Sequence, residues 1–95
     1  MVDTIRVSNV RFVPAPPRLL GSGLLGWATV AINGQMDLGY IAVRRTLNAR
    51  IVLAFPERLD NDGIAHPIVR PIDTAAREAI TRQVIALLRA GGLLP

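Results

Sequence analysis

One histidine, two serines, and no cysteine or lysine set narrow limits on the chemistry open to this 95-residue chain. His66 stands in the string Ile64-Ala65-His66-Pro67-Ile68. A zinc site takes three or four nitrogen, sulfur or carboxylate ligands, and His66 has neither a second histidine nor a cysteine to join it. A serine triad needs a nucleophile beside its histidine, and neither Ser8 nor Ser22 lies in a nucleophile-elbow pattern. Without lysine there is no Walker A loop. Gly21-Ser22-Gly23-Leu24-Leu25-Gly26 matches G-x-G-x-x-G letter for letter. A dinucleotide cradle needs a strand before that string and a helix N-terminus after it. Here a proline-rich segment precedes it and a β-rich run follows. Asp60-Asn61-Asp62-Gly63 fails as a calcium loop. Counting from Gly63 puts Arg58 and Val69 at its first and last ligand positions, where oxygen donors are required. No catalytic set, metal or cofactor is expected, and the chain is not expected to be an enzyme.

The remaining chemistry is that of arginine, which supplies all eleven basic residues and a net charge of +4. Seven arginines fall in residues 1–58 against three acids, and four in the remainder against four acids. Arg44, Arg45, Arg50 and Arg58 flank one short apolar run, with Arg77 and Arg82 further on. Guanidinium is a preferred fork for phosphate. A charge excess of this kind points to an anionic partner, and a dimer would double the contacts to a polyanion.

The elements that must position these groups are legible in outline. Residues 4–13 read as a strand whose apolar parity switches at Ser8-Asn9, the mark of a bulge. Residues 14–23 read as a proline- and glycine-bearing loop. Two β-rich runs flank Asn33-Gly34, a type I′ hairpin signal. A two-residue turn there sets Ile32 opposite Gln35, Ala31 opposite Met36, Thr29 opposite Leu38, and Trp27 opposite Tyr40. That aromatic pair would contribute roughly 0.2–1 kcal/mol. Leu25 and Ala42 share its face; Val30, Ile32, Ile41 and Val43 take the other. With both faces apolar, one is expected under a helix and the other against a second copy. Residues 51–55 read as a strand buried on both sides and ended by Pro56. Residues 57–71 read as irregular, with a turn at 60–63. Ile64, Ile68 and Ile72 are expected as buried anchors of a stiff lead-in, with His66 bonding backbone groups beneath it. The last element is a helix capped by Asp73. Its apolar stripe is Ala76, Ile80, Val84, Leu87 and Leu88, its wet face carries Glu78 and Arg82, and Gly91-Gly92 stops it. Residues 91–95 are expected to fray or to serve as a contact tail.

The absence of cysteine fits a reducing cytoplasm. The N-terminus lacks a signal-peptide pattern, and no apolar run approaches the ~20 residues of a membrane span.

The string Ile64-Ala65-His66-Pro67-Ile68 before a C-terminal helix resembles the SpoVG family, the stage V sporulation protein G or septation regulators of bacteria. Val10-Arg11 is similar to the family's early valine-arginine. Ala28-Thr29-Val30-Ala31-Ile32 is similar to its first hairpin strand, and Val52-Leu53-Ala54-Phe55-Pro56 to its phenylalanine-valine-alanine-methionine-proline strand. Arg77 matches the arginine that follows the family's helix start. The likeness runs over residues 4–90. It implies a single α+β domain over residues 1–90, an antiparallel sheet of four or so strands with one C-terminal helix packed on it. It also implies a homodimer formed through the sheet, and a cytoplasmic DNA- and RNA-binding regulator without enzymatic activity, linked to septation, sporulation or gene regulation. Arg44, Arg45, Arg50 and Arg58 are the expected phosphate contacts, with Arg77 and Arg82 secondary. The chain departs from the family in two places. The basic loop after the strand is replaced by a short acidic turn. The glycine-bearing turn before it is replaced by Arg44-Arg45-Thr46-Leu47-Asn48-Ala49-Arg50. A second expectation keeps the dimer but makes it a protein–protein interaction module without nucleic acid.

Overall fold

A computed structural model describes residues 5–94. Four antiparallel strands form a meander in the order β1 (Val7–Pro14), β2 (Leu24–Ile32), β3 (Met36–Arg45), β4 (Ile51–Ala54). A one-turn helix, α1 (Pro17–Leu20), interrupts the loop expected at 14–23. Its prolines sit where a helix needs no N–H donor. Residues 57–71, expected to be irregular, contain a second hairpin, β5 (Glu57–Leu59) with β6 (Ala65–Pro67). The long helix α2 (Thr74–Ala90) then packs across one face of the large sheet. Among the described residues no helix is long and apolar enough to cross a membrane.

Alternation along β2 divides the residues. Leu24, Gly26, Ala28 and Val30 are buried, while Leu25, Trp27, Thr29 and Ala31 face the other way, half-buried. The core joins Val7, Ala28, Val30, Ile41, Val43 and Leu53 of the sheet to Ile80, Val84 and Leu88 of α2. Those three helix residues repeat every four positions, which keeps them on one stripe. Ala79 is buried beside them. Gln83 ties the helix to β1: its Oε1 accepts from the Val7 N–H at 2.8 Å and its Nε2 donates to the Ile5 carbonyl at 3.0 Å.

The Asp73 side chain caps α2, its Oδ1 accepting from the Ala76 N–H at 2.8 Å. Asp73→Ala should therefore lower stability by about 1 kcal/mol in chemical denaturation. An unchanged midpoint would mean that the cap contributes nothing. At the other end Gly92 takes φ +67. The Leu93 N–H donates to the Leu88 carbonyl, and Leu94 packs against the core. Of the two expectations for residues 91–95, fraying is not seen in residues 91–94, which fold back over the helix end with Leu94 in contact with the core; Pro95 lies outside the described residues, as does Thr4 at the start of the expected first strand.

The β2–β3 turn has positive φ at Asn33 and Gly34, as a type I′ turn requires. The ladder nevertheless resumes at Ile32 with Met36, one residue later than a two-residue turn dictates. A second shift occurs between Ala28 and Val30, where Tyr40 stands at φ +56. The two slips place Trp27 opposite Ala42, so the expected Trp27–Tyr40 pair is not formed. Leu38 moves opposite Val30 and joins the core, and Asp37 moves opposite Ala31. The bulge expected in β1 is present between Ser8 and Arg11, with Asn9 at φ +53. β4 is not buried on both sides: only Leu53 is buried, and Val52 and Ala54 are exposed.

The largest correction concerns residues 64–72. Ile64, Ile68 and Ile72 are 57%, 64% and 91% exposed, so they anchor nothing within this chain. No residue of β5 or β6 is buried. Ala65, His66 and Pro67 form one strand of an exposed two-stranded hairpin rather than a buttress under the helix.

Candidate nucleic-acid interface

The arginines are distributed by the strands and by the pitch of α2. Thr74, Arg77, Glu78, Thr81, Arg82 and Ile85 recur at spacings of three and four, so they share one helix face. That face borders β4, where Arg50, Ile51, Val52 and Leu53 complete a groove of about 460 Å³. Arg50, Arg77 and Arg82 are all exposed and line this groove together. Two threonines add hydroxyls and Glu78 adds one carboxylate. The Arg77 guanidinium lies over the Phe55 ring, 5.4 Å from its centroid. This cation–π contact holds the charged end over one side of β4. Arg70, which the sequence reading left out, lines an adjoining cleft of about 330 Å³ with Phe55 and Arg77. Only the hairpin's return toward α2 brings Arg70 there, and no local pattern announces it.

The other expected contacts lie elsewhere. Arg44 sits opposite Val52 on the outer sheet face. It flanks a row formed by Val13, Trp27, Ala42 and Ala54, which are in register across all four strands. Arg45 lies at the far corner, its N–H donating to the Gly23 carbonyl at 2.7 Å. Arg58 is on the β5–β6 hairpin, opposite His66. The four arginines expected around one strand are therefore spread over a groove, a sheet face, a corner and a hairpin. Arg11 pairs with Asp37 at 3.3 Å, but both are mostly exposed, so this pair adds little to stability.

Local packing explains the glycine string. A Cβ on Gly23 would collide with the Arg45 carbonyl, and one on Gly26 with Phe12 and the Val13 carbonyl. The glycines serve close backbone approach, and the string leads into β2 rather than into a helix.

His66 has a different role from the one expected. Its Nε2 is 2.8 Å from Asp60 Oδ2, and beside an ionised carboxylate that nitrogen is the donor. Asp60 Oδ1 accepts from the Asp62 and Ile64 N–H groups, both at 2.9 Å. The His66 bond, followed by the Ile64 amide, holds the Asp60 carboxyl below its usual 3.8. A lowered folded value means that this stabilisation is full above the unfolded pKa and is lost as pH falls through the folded one. The hairpin turn should therefore loosen only below about pH 3.8. An NMR titration of the Asp62 and Ile64 amides checks this, and a midpoint at or above that value would refute it. Among the described residues no group of three His, Cys, Asp or Glu side chains is placed to hold a metal ion. No family model matches the chain, and no curated protein matches it either.

Proposed function

We propose that this chain is a homodimeric regulator of the SpoVG type that binds DNA or RNA through phosphate contacts. The observation that carries the reading is the groove between β4 and α2, where Arg50, Arg77 and Arg82 converge. Three guanidiniums beside two hydroxyls suit a run of phosphate oxygens. Glu78, set among them, adds one negative charge that a bound phosphate must avoid. The groove is open and bordered by Arg50–Leu53 on one side, which suits a backbone better than a small enclosed ligand. Arg44 and Arg45 extend the basic surface beyond it, and pairing two chains doubles the contacts. The SpoVG likeness puts the second copy on the outer sheet face, whose row of Val13, Trp27, Ala42 and Ala54 is left uncovered by α2.

The test is a salt titration with DNA and RNA oligonucleotides. A phosphate-driven complex weakens with a log–log slope of about −0.9 per contact on duplex DNA and about −0.7 on single strands. No binding at low salt, or a flat slope, would sink the reading. The second reading, a protein-binding module, is favoured by the amount of aliphatic surface on the 57–72 segment. Recovery of a protein partner and no nucleic acid from cells would select it.

A further inference from the structure

Beside the start of β3 lies an apolar groove of about 350 Å³. Its walls include Ile32 and Leu38 of the sheet, Phe55 after β4, Ile72 ahead of α2, and Ala76 and Ile80 of α2. The chain supplies these walls itself, and of the six only Ile80 is buried. The others leave apolar surface in contact with water. Only Asp37 and Arg70 are charged among the lining residues. Asp37 is engaged by Arg11 at 3.3 Å. The Arg70 side chain makes no hydrogen bond or ion pair among the described residues. It also lines the adjoining cleft, where the charges of Arg77 and Glu57 offset each other. One guanidinium is thus left over beside an apolar groove.

We propose that this groove binds a small monocarboxylate with an apolar body, the body against Leu38, Phe55 and Ala76 and the carboxylate on Arg70. The inference is independent of the nucleic-acid reading. Size selects a small molecule. Pockets that hold one run from about 300 to 1,000 Å³, whereas a stable protein contact covers roughly 800 Å² a side. At about 30 Å³ for each water-sized group, the groove takes roughly a dozen non-hydrogen atoms. The lining selects an apolar body, because leaving water favours every methylene that the walls cover. The surplus charge selects an anion, and a single surplus charge suits a carboxylate better than a phosphate dianion. Guanidinium and carboxylate also match in shape, as two forks joined by parallel N–H···O bonds. An alkylammonium of the same length would bring like charge to Arg70 and forgo those bonds.

The test is an NMR titration of the whole chain with octanoate, hexanoate and octylammonium. Octanoate should bind saturably and shift the Phe55 ring and Ala76 amide signals. Hexanoate should bind more weakly by about fourfold for each missing methylene. Octylammonium should show no saturable binding. Arg70→Gln should weaken octanoate by about tenfold, the effect of losing a hydrogen-bonded charge. Ala76→Leu narrows the groove with a residue that suits a helix. It should abolish octanoate binding with unchanged far-ultraviolet dichroism. Absence of saturable octanoate binding to the unaltered protein would overturn the proposal. So would equal binding of octanoate and octylammonium, or octanoate binding that survives Ala76→Leu. If octanoate fails to bind and Ala76→Leu instead lowers the mass seen in sedimentation, the groove belongs to a second copy and the proposal falls.

Discussion

Gly26→Ala should unfold much of this protein's stability reserve. The added Cβ would stand 2.5 Å from Phe12 Cζ and against the Val13 carbonyl, where Gly26 pairs with Pro14 of β1. Phe12 packs on the core and cannot yield without opening a gap there, and the carbonyl belongs to the ladder. Forced overpacking of this kind costs about 3 kcal/mol, a large share of the 5–15 kcal/mol typical of a small domain. A domain of this size loses roughly 4–8 °C of melting temperature per kcal/mol, so a fall of about 12 °C or more is expected. Gly21→Ala is the control, since Gly21 has φ −64 and open space around its position. It should melt close to the unaltered protein. Equal melting of the two variants would show that β1 and β2 do not approach as described.

The second large effect concerns the groove between β4 and α2. Removing Arg50, Arg77 and Arg82 together by alanine should take up to about 2.7 units off the log–log salt slope on duplex DNA, at about 0.9 per phosphate contact. Arg44→Ala with Arg45→Ala should take off less, because those side chains point to a different face and a different corner. The comparison tests the footprint as well as the activity. A larger loss from the Arg44 and Arg45 pair would move the contact surface to the outer sheet face. Circular dichroism accompanies both, since losing Arg77 also removes its contact with Phe55.

These residues also show which parts of the molecule can be read from the chain and which cannot. The helix is readable because its signals are local: the Asp73 cap, a stripe with a 3.6-residue period, and two glycines at its end. The central hairpin is readable from Asn33-Gly34 for the same reason. Its register is not. The left-handed conformation falls on Tyr40 rather than on the neighbouring Gly39, and Gln35 is an extra residue that no propensity reveals. Ile64, Ile68 and Ile72 read as anchors because they are apolar, but burial depends on what meets them, and all three stay mostly exposed. Arg50 and Arg82 are thirty-two positions apart and share a groove only because α2 packs beside β4. Charge composition finds the arginines; tertiary packing decides which of them act together.

Asp60 closes the hairpin's turn with three hydrogen bonds to one carboxylate, yet no buried side chain couples the hairpin to the sheet beneath it. The hairpin is therefore expected to be the less stable part of the chain. Amide exchange is expected to be faster in β5 and β6 than in the meander and α2. Loosening of the hairpin is then expected to leave Arg50, Arg77 and Arg82 in place around their groove.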